Sequence, residues 1–180
     1  EQGPTKIVAQ PTKQGLVYTF NRETGEPIWP IEEVPFPSSI VPGEQLPATQ
    51  PIPTKPAPFD MQGLSLDTLV DFTPEIRAQA VAAVADYQLG PLFNPPLHRD
   101  NPLGKISSMI CPSGAVNITH PSVADPTTGI LYVTSRSSCS ARPLVSGEEA
   151  DTYYDAPTGT TLSQYAAGRG GPTPRHPLGI

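Results

Sequence analysis

Few residues in this chain belong to types that do chemistry, and their spacing narrows the possibilities. His98, His120 and His176 are too widely spaced for a metal-ligand signature, so each reads as a packed or solvated histidine. His120 stands three residues after Asn117, close enough to share a site with it. Cys111 and Cys139 fit no CxxC metal or redox motif. They either pair in an oxidising compartment or stand as free thiols. Lys13 lies in AQPTKQG between two strand-like stretches, where a loop lysine is usually solvated. Asn117-Ile118-Thr119 is a glycosylation sequon, a pattern common by chance, and Asn117 also reads as a turn residue. GxGxxG, P-loop and GxSxG patterns are absent, which argues against nicotinamide, nucleotide and hydrolase chemistry.

The elements that must position these residues are short. The chain has 180 residues, 25 of them proline and 15 glycine, with 16% charged and 37% hydrophobic. Stretches without proline are too short for a helical bundle, and glycine has no collagen period. A net charge of -6 argues against nucleic acid as a partner, because phosphate binding needs a basic surface. No apolar run approaches the ~20 residues that span a bilayer. The chain opens on Glu1 without a signal-like segment, as a processed product or a piece of a longer protein would.

Lys6 to Gln10 and Leu16 to Phe20 read as strands around a turn at Pro11 to Gly15. Asn21-x-x-Thr24-Gly25 then predicts a hairpin turn with Gly25 at positive φ, and Pro27 and Pro30 cut the second strand short. From Pro30 to Gly63 the prolines predict an extended, irregular loop. Its spaced apolar residues, among them Val34, Phe36 and Phe59, would pin it over a protein surface.

A helix is predicted over about 74–89: Thr73 caps it, Pro74 opens it and Gly90-Pro91 stops it. Ile76, Ala80, Val84 and Tyr87 form its apolar stripe. Ser65 to Val70 suggests a shorter helix, and Ile106 to Ile110 a weak strand. Val116 to Val123 should face Ile130 to Ser135 across Asp125-x-x-Thr128-Gly129, again with glycine at positive φ. Two turns of one chemistry suggest sheet blades of a repeat architecture. After Ser137 a loop-rich tail is expected, without another clear strand.

The run AQPTKQGLVYTFNRETGEPIWPIEEVPFPSSIVPGEQLPATQPIPTKPAPFD resembles pyrroloquinoline quinone (PQQ)-dependent quinoprotein dehydrogenases of the membrane-bound glucose dehydrogenase type. DFTPEIRAQAVAAVADYQLGPLFNPP and GAVNITHPSVADPTTGILYV belong to the same resemblance. It covers residues 6 to about 136 closely and the tail more loosely.

The resemblance implies a mainly β fold, part of an eight-bladed quinoprotein β-propeller carrying a long Pro-rich loop and one or two short helices. Residues 1–29 would be propeller strands and a tryptophan-docking hairpin with Trp29 stacked between blades and Gly25 allowing close approach. Residues 30–104 would be the excursion, 105–136 further propeller strands and 137–180 the tail. It implies that Lys13 and Asn117 contact PQQ. An ammonium beside a quinone oxygen polarises the carbonyl and stabilises negative charge arriving with hydride.

Two departures from the family pattern lie around Asn117: Ile118 replaces an aromatic residue, and Ala115-Val116 replaces a segment with a second glycine. The general base and the ligands for Ca2+ are expected upstream of this chain. The intact parent would oxidise a sugar or alcohol and pass electrons to a membrane quinone or cytochrome, with the remainder of the propeller as partner. It would be periplasmic, attached to the inner membrane through parts not present here, and the segment alone inactive. A different class of reading is a non-catalytic structural or binding module on the same scaffold. A third is a proline-rich adaptor using Pro53-Thr54-Lys55-Pro56.

Overall fold

The computed structural model describes residues 5–115, 122–141, 143–146 and 165–167. Strands β1 (Ile7–Pro11) and β2 (Val17–Asn21) pair antiparallel, as the β-branched and aromatic runs predict. Asn21 Oδ1 then accepts the Glu23 and Thr24 N–H groups, closing the expected turn with Gly25 at φ 80°. The second hairpin strand is reduced to an isolated bridge from Phe20 to Pro27, with Asn21 N–H donating to Glu26 O and Ile28 N–H to Thr19 O on either side. A Cβ on Gly25 would meet no atom within 4 Å. Glycine is needed there for its backbone conformation; the close approach expected from the docking motif is not seen among the described residues. Trp29 itself is half-buried.

The 30–63 segment departs from the irregular loop expected of it. β3 (Ile31–Pro35) and β4 (Thr49–Pro53) form an antiparallel ribbon with Ile31 opposite Pro53 and Pro35 opposite Thr49. Phe36 N–H donates to Ala48 O and Thr54 N–H to Pro30 O, so the even-numbered pairs carry the ladder bonds. Pro35, Pro51 and Pro53 therefore all fall at pairs whose N–H would point outward, where proline costs no ladder bond. Tyr18 Oη donates to Pro51 O, and Phe36 packs edge-on against Phe93 with centroids 4.9 Å apart, so the ribbon is pinned at two places.

Next come β5 (Gly63–Leu64), a 3-10 turn (Leu66–Thr68) and α1 (Pro74–Val84). Thr73 accepts the Ile76 N–H, as its sequence position predicts. The helix ends five residues before the predicted stop. After it the chain bends into β6 (Tyr87–Gln88), followed by β7 (Gly90–Pro91), which pairs with β5. Tyr87 therefore serves a strand, and Lys105 Nζ satisfies the Ala85 carbonyl at the helix end. The expected apolar stripe shrinks to the buried Ala80 and Val84.

β8 (Ser107–Ile110) is the strand expected near Ile106, and it pairs parallel with β6. β9 (Val123–Asp125) and β10 (Ile130–Tyr132) make the second Asx hairpin with Gly129 at φ 71°. The expected partner stretch at 116–121 lies outside the described residues.

Contrary to the loop-rich reading of the tail, β11 (Ser140–Ala141) joins β8, and β12 (Leu144–Ser146) pairs with β13 (Tyr165–Ala167). Small residues such as Ser140 and Ala141 carry no strand propensity. What sets β11 in place is the Cys111–Cys139 disulfide beside it. Leu64, Leu69, Ala80, Val84, Met109, Cys111 and Ala141 form one buried cluster, so the disulfide is part of the core. No closed sheet is present among the described residues, and no helix there is long and apolar enough to cross a membrane.

Candidate cofactor site

The turn between β1 and β2 carries Lys13. Gly15 N–H donates to Thr12 O, and Thr12 N–H to Leu16 O. Gly15 sits at φ 76°, in the left-handed region that glycine occupies without strain. A Cβ on it would also lie 2.8 Å from Asp60 Cβ, so both conformation and space require glycine.

The carbonyls that follow point away from the hairpin, and two distant segments, 59–62 and 113–115, claim them. Ala115 N–H donates to Lys13 O (2.9 Å), Gln62 Nε2 to Gln14 O (2.7 Å) and Phe59 N–H to Gly15 O (2.8 Å). The carbonyls of Lys13, Gln14 and Gly15 are therefore each fixed by a partner far away in sequence. The Lys13 side chain is exposed, and its ammonium has no partner among the described residues.

A second arm completes the cluster. Arg136 N–H donates to Ala115 O (2.8 Å), and Ser113 N–H to Ser138 O (2.6 Å). Residues 111–115 and 135–139 thus run side by side, bolted by the disulfide at one end. Ser135 and Ser137 both donate their hydroxyls to the Asp60 carboxylate, at 2.5 and 2.8 Å. The backbones of Lys13, Ala115 and Arg136 form a bonded row. Arg136 is the second exposed cation on this row, in a chain of net charge -6.

Of the two predicted cofactor contacts, Lys13 is on this row. Asn117, two residues after Ala115, lies outside the described residues, as do Ile118, His120 and His176. His98 Nδ1 accepts the Asp100 N–H and serves a local turn. Sequence reasoning missed Asp60, Gln62, Ser135, Arg136 and Ser137. Their only local signal is that Asp60 ends a proline-rich run, which does not mark a site. Among the described residues no group of three or more His, Cys, Asp or Glu side chains could hold a metal, so no step here is derived through calcium.

An open cavity of about 950 Å³ is lined by Met61, Gln62, Leu64, Val84, Tyr87 and Leu89, among others, and so borders the 59–62 segment that holds the turn. Its one charged lining residue, Lys105, is already engaged with Ala85 O.

The donor set at the Lys13 turn fits an anionic quinone: an exposed ammonium on a backbone held by two distant segments, ready to meet oxygen atoms without reorganising. Residues 1–176 match the family model for the PQQ glucose/ethanol/alcohol dehydrogenase β-propeller domain. A glycerol dehydrogenase large subunit of Gluconobacter thailandicus is 48% identical over 42 residues, 23% of this chain and 6% of the relative. One of Gluconobacter oxydans (strain 621H) is 41% identical over 49 residues, 27% of this chain and 7% of the relative. The matched stretch is thus a small share of those relatives' length. No solved structure matches this chain.

Proposed function

This chain belongs to the PQQ glucose/ethanol/alcohol dehydrogenase β-propeller family, and we propose that it supplies part of the PQQ site of a dehydrogenase acting on a polyol, sugar or other alcohol. The observation that carries the reading is the Lys13 turn: two distant segments hold its carbonyls, while its exposed ammonium has no partner among the described residues. Bound there, the quinone supplies an acceptor for the hydride leaving the carbon that bears the substrate hydroxyl. Lys13 donates a hydrogen bond to a quinone oxygen and stabilises the negative charge that grows on it. Its backbone is held against drift because the anchoring bonds close on two segments far apart in sequence, 59–62 and 115. Asn117, two residues past the anchor Ala115, is the second proposed contact, offering an amide donor and acceptor.

The general base and the Ca2+ ligands belong, in this proposal, to the remainder of an eight-bladed propeller, and this chain alone is inactive. Electrons pass on to a membrane quinone or cytochrome. The disulfide supports an oxidising, periplasmic location. The matched glycerol dehydrogenases favour polyols among the candidate substrates.

The test reconstitutes the full-length apoprotein with PQQ and Ca2+ and follows dye reduction with glycerol, other polyols, glucose and ethanol. PQQ-dependent reduction with at least one of them is expected. A protein that takes up no PQQ would instead be the non-catalytic module.

A further inference from the structure

We infer that Asp60 is a positioning residue for Lys13, an inference that rests on the reading of Lys13 as a PQQ contact. The Asp60 carboxylate takes the Ser135 hydroxyl on one oxygen, and the Ser137 hydroxyl and the Met61 N–H on the other. No lysine or arginine among the described residues pairs with it. Its neighbours in sequence hold the turn: Phe59 N–H on Gly15 O and Gln62 Nε2 on Gln14 O. Its own Cβ fills the space over Gly15 that a side chain there would need.

The bonds close into a ring. Asp60 fixes Ser135 and Ser137; between them Arg136 N–H holds Ala115 O; Ala115 N–H holds Lys13 O; and the turn returns through Gln14 and Gly15 to residues 59–62. Four segments far apart in sequence meet in this ring, and Asp60 is the member whose side chain joins two of them.

The chemistry of the clamp suits the role. A carboxylate accepts strong hydrogen bonds from hydroxyls and leaves both serines no freedom to rotate. Because serines, and not Lys13, occupy it, the lysine ammonium is not drawn into an ion pair and stays available to a ligand. Ser135 and Ser137 point toward Asp60, so in an extended run the intervening Arg136 side chain points away from it. Removing the carboxylate would release the 135–137 arm, then the Ala115 anchor, then the Lys13 backbone, without touching PQQ.

The experiment uses the full-length protein and two readouts: PQQ affinity of the apoprotein by absorbance titration, and hydrogen exchange at the Ala115 amide. Asp60→Ala and the paired Ser135→Ala/Ser137→Ala variant should weaken PQQ binding roughly ten- to hundredfold, the range seen when groups orienting a ligand-contacting side chain are removed. Both should also speed Ala115 exchange. Asp60→Asn, which keeps one acceptor, should recover part of each effect. In a Lys13→Ala background, Asp60→Ala should change PQQ affinity by no more than about twofold, because its effect runs through Lys13.

An unchanged affinity and unchanged Ala115 exchange in Asp60→Ala would overturn the inference. So would an equal loss of affinity with and without Lys13. If Asp60→Ala does not fold, the serine pair decides by the same criteria. If the wild-type protein binds no PQQ, the cofactor reading fails, and Ala115 exchange still decides whether Asp60 holds the turn.

Discussion

The Lys13 turn and the Asp125 turn are both tight reversals that end on a glycine at positive φ, yet they are held in opposite ways. At the second turn Asp125 accepts the Thr127 N–H and the Thr128 hydroxyl, and Gly129 N–H donates to Asp125 O. All of these bonds stay within five residues, and a Cβ on Gly129 would meet nothing within 4 Å. At the first turn the anchors come from residues 59, 62 and 115, and Gly15 is pressed against Asp60. A turn that only reverses the chain can be self-sufficient. One whose exposed lysine must be held still needs support from elsewhere in the fold, because local bonds alone leave it free to rotate as a unit.

The contrast predicts a ranking of effects. Replacing both Cys111 and Cys139 by serine should cost the most, about 3.5 kcal/mol by loop-closure entropy, and should loosen Ala115 and residues 135–139. The Asp125 hairpin lies within the loop that this disulfide closes, yet it makes its own bonds, so its exchange pattern should change least. Denaturant titration with hydrogen exchange reads both. Gly15→Ala comes next, about 3 kcal/mol, combining left-handed strain with a collision against Asp60. Gly129→Ala, with strain but no collision, should cost about 1 kcal/mol. Equal costs at the two glycines would erase the distinction between the turns.

The smallest effect is one of pH. The Thr128 hydroxyl, and after it the Thr127 N–H, hold the Asp125 carboxyl below the usual carboxylate range. A depressed folded value means that the group's contribution is complete above its ordinary pKa of about 3.9 and is lost as pH falls through the lower folded value. Asp125→Asn should therefore lower hairpin stability near neutrality, where the carboxylate contributes fully, and flatten its decline below about pH 4. NMR of the Thr127 and Thr128 amides across that range reads it.

What the sequence made legible follows the same division. Asn21, Asp125 and the Thr73 cap act on backbone within three residues, so residue type and spacing were enough to place them. The helix end was misplaced because its stop is set by β6 pairing with β8, some twenty residues ahead. The proline ribbon was missed although its prolines share one parity, because that alternation means a ladder only once the opposite strand is known. Lys13 was found by resemblance. Asp60, Ser135 and Ser137 were not, since a carboxylate and two serines more than seventy residues apart carry no shared local pattern.

The central claim is that the clamped turn presents Lys13 to PQQ, and turnover of the Lys13→Ala enzyme tests it most directly. In the full-length, PQQ-loaded protein, removing this ammonium should slow dye reduction about a hundredfold to a thousandfold, the loss typical of one donor to a developing oxyanion. Lys13→Arg should recover only part, because a planar guanidinium does not replace a compact ammonium. Wild-type turnover by a folded, PQQ-loaded Lys13→Ala enzyme would contradict the account.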